Sequence, residues 1–555
     1  VYQEKATGLY LPNDVKTSGA LRREAAGRAV ITALNSGYSH YGANRTSANM
    51  KGWNAYSGSA KEDIEDNLDL LRQRSRDAYM GIPAATAALK TLRTNVIAGG
   101  LMPSPQIDGD FLGLTTDQVE RLQAQILREF SLWADTTACD ADRVDDFYGL
   151  QQLAFLSALM NGDAFAALTL KPRPGQPYDL RVRLIEADRV CSPNYQDRMT
   201  PGQIQGRTVA SVVQGVETDE DGEVIAYWVA NRHPRSYTNL KPQDWKRVEV
   251  YGKRSGMRNI LHVMQRERAG QRRGVPILAP VLETLKQLER YADAETTAAL
   301  LGAIFTVFVQ KGSVTDEGAF GQMLREEFLK RMTGGWERDP NDLELGSGLI
   351  MDLEMGESVD TVETQHPHSG YDTFMMARMK QVGAALEVPV EVLFKQFTTN
   401  FSSARGALNE FWRTCGMQRD WFAEDFCQPI YEMWFSEAVA RGRIDAPGFF
   451  DDPAVRKAYS DCKWNGPART ALNPSQEVEA AMKRVQAGFA TAAEETAQLT
   501  GGDYNRNIRQ RLLEAQRKRE VDEASGMFQD TDVREENEKW ASSGSSETRS
   551  EAARN

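Results

Sequence analysis

MRNILHVMQRERAGQRRGVPILAPVLETLKQLERYADAETTAALLG, residues 257–302, is the stretch on which the reading of the fold turns. Ile260 to Met264 is short, apolar and flanked by polar residues, which predicts a buried strand. A basic turn follows, bounded by Gly270 and Gly274. Pro276 and Pro280 sit in the first turn of the next helix, where the amides they lack would be unpaired in any case. Nothing breaks that helix from Pro280 to Leu301, so at about 1.5 Å per residue it runs for roughly 30 Å. Val281, Leu282, Leu285, Leu288 and Tyr291 recur at three- and four-residue intervals, with Glu283, Lys286, Gln287, Glu289 and Arg290 off the stripe.

The 555-residue chain is too long for one simple core, so two to four structural regions are expected. A formal net charge of −12 argues against a protein that grips nucleic acid tightly, since such proteins carry a basic footprint. It leaves open a protein past which DNA slides, because few phosphate contacts then suffice. The longest apolar run, Ala298 to Val309, is too short to cross a bilayer and reads as a helix end followed by a strand. Cys139, Cys191, Cys415, Cys427 and Cys462 are far apart, and no pair has metal-ligand spacing; reduced, mostly buried thiols in a cytoplasm are expected. No signal peptide is visible, and a start at Val1 suggests a trimmed or processed terminus.

Outward from the opening stretch, the chain alternates between helical and strand periods. Residues 1–60 are rich in Gly, Ser, Asn and Tyr and read as an irregular arm. Helices are expected over 61–98 (with Pro83 inside and Gly99-Gly100 at the end), 115–134 with Thr116 as N-cap, and 146–160. From 164 to 262 the period drops towards two. There SVVQGVE (211–217) and EVIAYWVA (223–230) flank Asp221-Gly222, a hairpin signal. A strand over 304–310 and a short helix over 314–332 follow. Helix 371–387 ends at Val388-Pro389. A polar loop over 393–406 precedes an aromatic-rich helical block, 407–442, kinked at Pro429. Asn473-Pro474-Ser475-Gln476 opens a further helix as cap, N1 proline and capping-box glutamine. Disorder is expected past about residue 520.

Catalytic chemistry finds little to stand on. His366-Pro367-His368 is the only close histidine pair and lacks a third ligand at metal spacing, so a turn is the better reading. His262 ends the strand before the basic turn and reads as a hydrogen-bonded core residue. No Gly-x-Ser-x-Gly elbow and no Gly-x4-Gly-Lys-[Ser/Thr] loop are present, so any motor must belong to a partner. No catalytic residue, cofactor or metal is expected. Arg266, Arg268, Arg272 and Arg273 form a dense basic cluster. Pairing with carboxylates of a neighbouring subunit is favoured over a phosphate grip, which would resist sliding.

Several segments, in order, closely resemble the portal proteins of lambda-like tailed bacteriophages: NLDLLRQRSRDAYMGIPAATAALKTLRTNVIAGGL, LIEADRV, the opening stretch itself, AALEVPVEVL, SSARGALNEFW, FCQPIYEMW, GRIDAPGFFDDP and LNPSQEVEAAMKRVQAGF. The likeness runs from about Gly37 to about Asp503. It implies a mostly helical α+β portal fold of wing, stem, clip and crown, assembled into a ring around a channel. By that resemblance 1–60 is an N-terminal arm, 61–145 the first part of the wing, 146–163 a stem helix and 164–262 the clip. Residues 263–302 supply the second stem helix and its lead-in, and 303–370 the second part of the wing. The channel helix and tunnel loop fall at 371–410, wing and crown helices at 411–444, the crown at 445–520 and a disordered tail at 521–555.

The resemblance further implies a ring of twelve copies at one capsid vertex, through which a terminase drives double-stranded DNA. Major capsid, scaffolding, head-completion and tail adaptor proteins would be its partners, with no membrane. The virion is the expected location after assembly in the host cytoplasm. The loop at 389–405 would face the duplex with Lys395, Gln396, Thr398, Thr399, Asn400, Ser402 and Arg405. Asn400-Phe401 departs from the aromatic-rich loop of the family. The alternative is a non-catalytic helical capsid adaptor or scaffold that binds protein only.

Overall fold

The computed structural model describes residues 2–4, 10–12, 47–53, 55–193, 202–204, 207–209, 211–236, 242–304, 308–311, 357–360, 370–396, 401–469 and 473–525. The chain divides into two units, Val1–Asp63 and Ile64–Asn555. In the first, Tyr2–Glu4 pairs antiparallel with Tyr10–Pro12. Its short helix Ala60–Asp63 is held at the start by Glu62, whose carboxylate accepts from the Ser59 N–H at 2.8 Å. Most of the arm expected over 1–60 lies outside the described residues.

The second unit opens with α1 (Leu68–Gly81) and α2 (Pro83–Val96), joined at Ile82. Ile82 is extended (φ −100°, ψ 111°), because the residue before proline is pushed out of the helical region. Strand β1 (Met102–Pro105) leads to α3 (Thr116–Ala134). The cap of α3 is Thr115, not Thr116: its hydroxyl accepts from Gln118 N while the Gln118 carboxamide accepts from Thr115 N. Only the first of the two threonines has glutamine three places on, which is what a capping box requires. Helix α4 (Phe147–Asn161) is capped by Asp146 and closed by Gly162 at φ 89°.

Between α4 and the next long helix lies a module of antiparallel strands: β2 (Asp163–Leu170), β3 (Leu180–Ile185), β4 (Ser211–Val213), β5 (Val216–Thr218), β6 (Val224–Ala230), β7 (Trp245–Glu249) and β8 (Ile260–Met264). They form a three-stranded sheet, β8-β2-β3, and a four-stranded one, β7-β6-β5-β4. Phe165, Ile185, Val216, Tyr227, Val229 and Ile260 pack between them. The segment SVVQGVE is not one strand. Gln214 and Gly215 both have positive φ (47° and 80°), so the chain folds back in a two-residue hairpin between β4 and β5. The hairpin expected at Asp221-Gly222 joins β5 to β6, where the Asp219 carboxylate accepts from the N–H groups of Asp221 and Glu223.

A single 3-10 turn, Ala279–Val281, starts α5 (Leu282–Ile304). Strands β9 (Phe308–Lys311) and β10 (Glu357–Asp360) pair antiparallel. The strand expected from 304 begins later because α5 continues through Ile304, and the helix expected over 314–332 lies outside the described residues. Then come α6 (Tyr371–Ala385), α7 (Val390–Phe394), α8 (Phe401–Phe422), α9 (Gln428–Ala440), α10 (Pro453–Ser460), β11 (Cys462–Asn465), α11 (Pro474–Gln486), α12 (Ala492–Thr500) and α13 (Tyr504–Ser525). A π turn, Ala423–Cys427, links α8 to α9. Widening the ladder there accommodates Pro429, which has no N–H and would clash with a carbonyl one turn earlier. Helix α11 starts at Pro474 as expected, but the Asn473 side chain makes no capping bond.

An aromatic cluster ties α3, α4, α9 and β11 together. Phe130 meets Trp434 edge-on at 4.9 Å, Phe147 stacks on Phe426 at 6.2 Å, and Tyr431 meets Trp464 at 5.9 Å. Such pairs each add about 0.5–1.5 kcal/mol beyond the area they bury. Trp464 falls within the span assigned to the crown. Nonetheless β11 pairs with β1, so this part of the span shares the core of the helical body. All five cysteines are free thiols, three of them buried. Among the described residues no helix is long and apolar enough to cross a membrane.

Candidate functional site

The segment expected to face the channel is shorter as a loop than its polarity suggested. Pro389 leads into α7, and Lys395 ends that helix in the left-handed region at φ 55°. Thr398, Thr399 and Asn400 lie outside the described residues. Helix α8 begins at Phe401, so Ser402 and Arg405 belong to its first turns and not to a loop. Serine and glycine in SSARG suggested a break, but Gly406 has nothing within 4 Å of its Cβ position. A glycine in an exposed helix costs only about 1 kcal/mol, which the rest of a 22-residue helix outweighs. Lys395, Gln396, Ser402 and Arg405 are all exposed. Arg405 also borders a cleft of about 210 Å³ with Trp412, Arg469, Glu477, Arg484 and Glu495. Within it, Arg484 and Glu495 are closed on each other by two bonds of 2.6 and 2.7 Å.

The basic cluster splits. Arg266 and Arg268 are exposed. Arg272 is half-buried; its N–H donates to Glu65 Oε1 at 2.7 Å and its guanidinium to Ser211 Oγ at 3.1 Å. Arg273 is fully buried inside the protomer and is not an inter-subunit group. It sits where the chain leaves β8 for α5, directly beside the point where α4 passes into β2. At this neck Gly162 and Gly274 touch backbone to backbone: a Cβ on Gly274 would lie 1.8 Å from Gly162 O.

Asp163 is the hub of the neck. Its Oδ2 accepts from Arg273 Nε at 2.6 Å, from Arg72 of α1 at 3.3 Å and from Gly274 N at 3.3 Å. Its Oδ1 accepts from the other arm of Arg273 at 3.2 Å. The remaining guanidinium protons of Arg273 go to the backbone carbonyls of Val190, Gln214 and Ala187, and Arg72 Nε donates to the Asn161 carbonyl. His262 on β8 lies 3.5 Å from Asp163, shares a hydrogen bond with the Tyr227 hydroxyl at 3.2 Å and stacks on Phe165 at 4.2 Å. Burial alone would raise the Asp163 carboxyl, but Arg273 and Arg72 outweigh it and hold it well below the carboxylate range. Burial, then repulsion by Arg273, brings Arg72 down to about 10. Neither the buried aspartate nor its two partners announces itself in sequence. Arg72 and Asp163 are 91 residues apart and meet because α1 packs on the end of α4, where Arg72 also donates to the Asn161 carbonyl; the tight Gly162/Gly274 approach brings Arg273 to the same carboxylate.

Burial holds His262 below its usual range, against the pull of Asp163. The folded protein therefore takes up a proton there less readily than the unfolded chain. This contribution is complete above about pH 6.5, the unfolded value, and is lost as pH falls below it. Unfolding midpoints are expected to drop between about pH 7.5 and 5, and His262→Asn to flatten that window. An unchanged pH slope in the variant would remove His262 as its cause.

Among the described residues, Glu186, Asp188 and His233 are the one grouping whose ligand atoms converge, within 4.8 Å of one another. Arg76 bridges both carboxylates, at 3.6 Å to Glu186 and in direct contact with Asp188, so a guanidinium already occupies the place of a cation. His366 and His368 lie outside the described residues.

The described residues thus form a helical body that carries a strand module on a buried, charge-locked neck. The chain belongs to the lambda family of phage portal proteins: the family profile described as phage portal protein, lambda family, matches residues 46–419. Portal protein B of Escherichia phage lambda is 22% identical over 496 residues, covering 86% of this chain and 90% of that protein. The portal protein of Escherichia phage N15 is likewise 22% identical over 496 residues, with the same coverage. Among solved structures, a chain of the virion of a native gene transfer agent particle matches at 14% identity and a TM-score of 0.40, covering 78% of this chain and 93% of that one. The crystal structure of an HK97 family phage portal protein from Corynebacterium diphtheriae matches at 13% identity and a TM-score of 0.27, covering 60% and 85%. The family match and the two phage relatives bear out the resemblance read from the sequence.

Proposed function

We propose that about twelve copies of this portal protein close into a ring at one capsid vertex, that a terminase packages double-stranded DNA through the ring, and that the DNA later leaves by the same route. Membership of the lambda portal family over most of the chain carries this reading. On it, α4 and α5 are the stem, and the strand module between them is the clip on which terminase and then head-completion and tail adaptor proteins dock. Major capsid and scaffolding proteins would meet the outer body.

The duplex-facing residues are Lys395, Gln396, Thr398, Thr399, Asn400, Ser402 and Arg405, with Ser402 and Arg405 presented from the start of α8. The exposure of the four described members supports this, as does a chain charge of −12, which keeps phosphate contacts few. Arg266 and Arg268 remain as the surface pair offered to a neighbouring subunit.

Changing Lys395→Glu together with Arg405→Glu is expected to leave the ring intact and to shorten or destabilise the packaged genome. Native mass measurement and the length of protected DNA read the two effects. Unchanged packaging and retention would remove these residues from the channel. A stable monomer under all assembly conditions would instead favour an adaptor that binds protein only.

A further inference from the structure

We infer that α13 is a second nucleic-acid surface, separate from the 389–405 segment, which takes the phosphate backbone of duplex DNA. The inference rests on the reading above that duplex DNA is what the ring handles. Over Tyr504–Ser525 the helix carries six basic residues (Arg506, Arg509, Arg511, Arg517, Lys518 and Arg519), its acids being Glu514 and, at the end, Glu520, Asp522 and Glu523, in a chain whose net charge is −12. Every residue from Arg509 to Val521 is exposed. Among the described residues Arg511, Arg517, Lys518 and Arg519 have neither an ion-pair nor a hydrogen-bond partner, while Glu514 takes a bond from Gln510.

The helix is anchored by one side. Arg509 donates to the Glu120 carbonyl of α3 at 3.2 Å. At about 100° per residue, Arg511 and Lys518 lie roughly opposite that contact, facing away from the body. From Arg506 to Arg519 the basic groups extend over roughly 20 Å. Guanidinium groups that lack carboxylate partners match phosphate oxygens through two parallel bonds.

A second copy of the chain fits this surface less well. Leu512, Leu513 and Val521 are exposed, but at helical spacing they point in three directions and make no continuous seam for another helix. Like charges on neighbouring copies would also oppose pairing. Among the described residues the helix carries one internal side-chain bridge, Gln510 to Glu514, and its unpaired cations suit a polyanion. In the sequence the 266–273 arginines stood out, and RQRLLEAQRKR (509–519) received no reading beyond its place in the crown span. A running charge count along the chain would have found it.

The test uses the assembled full-length ring and a variant carrying Arg511→Gln, Arg517→Gln, Lys518→Gln and Arg519→Gln, glutamine being a good helix former. Binding of a duplex of about 30 base pairs is followed by fluorescence anisotropy between about 50 and 200 mM salt. The variant is expected to keep its ring mass, to lose roughly tenfold or more in affinity at the lower salt, and to show a shallower salt dependence. Unchanged affinity and slope overturn the inference, as does absence of duplex binding by the unaltered ring. A ring that falls into smaller species overturns it too, because α13 would then be docking on a neighbouring copy. A packaging defect in the Lys395→Glu, Arg405→Glu protein beside unchanged duplex binding in the glutamine variant would leave the conduit standing and remove only this surface.

Discussion

Asp163→Asn is expected to cost the protomer about 3–5 kcal/mol, read as a lowered midpoint in urea or heat and a sharp fall in soluble yield. The substitution keeps the shape of the side chain and removes its charge. Arg72 and Arg273, both essentially unexposed, would then face each other with no counter-ion between them. The attraction that now offsets their desolvation disappears, while the desolvation remains. Replacing Arg72 and Arg273 by methionine and Asp163 by leucine in one protein is expected to recover only part of the loss, because it removes the stranded charge but leaves the carbonyls of Asn161, Ala187, Val190 and Gln214 without these donors. A penalty for Asp163→Asn below about 1 kcal/mol would show that the neck does not depend on this ion network. The pH sign follows from the depressed carboxyl: its contribution is full above about pH 4 and is lost as pH falls below the unfolded value.

Gly274→Ala is the second large effect. A Cβ would sit 1.8 Å from Gly162 O and 2.5 Å from its carbonyl carbon, both rigid backbone atoms. The two chain segments that enter and leave the strand module would have to separate, pulling Asp163 from Arg273. The expected outcome is a loss at or above the top of the usual overpacking range of about 1–3 kcal/mol, with aggregation of the expressed chain. Gly162→Ala adds left-handed backbone strain (φ 89°) to a contact of 2.3 Å and is expected to be at least as damaging. Gly406→Ala is the opposite case. It lies in α8 with open space around it, so alanine is expected to stabilise by about 0.5–1 kcal/mol. If Gly274→Ala behaves like Gly406→Ala, the close approach is not what holds the neck.

Which features were legible in sequence follows from the range over which each is encoded. The limits of α2, α4 and α6 could be read from Pro83, Gly162 and Val388-Pro389, because proline and glycine act on their own or the adjoining backbone. The lambda-portal resemblance was legible for another reason: it rests on the order of many segments, not on one site. Short-range signals also misled. Ser402 and Ser403 suggested a loop where α8 had begun, and Gln214-Gly215 hid a hairpin inside what looked like one strand.

By itself, then, the sequence determined most of the long helices and the strand module between α4 and α5, written in periodicities and capping residues that act within a few positions, and it pointed to the family through the order of its matching segments. Only the tertiary structure decided which charges are surface and which are core. Arg266 and Arg273 read alike in the chain, yet one is exposed and the other is closed around Asp163. The difference comes from a contact between Gly162 and Gly274, more than a hundred residues apart, and burial set by such a contact has no local signature.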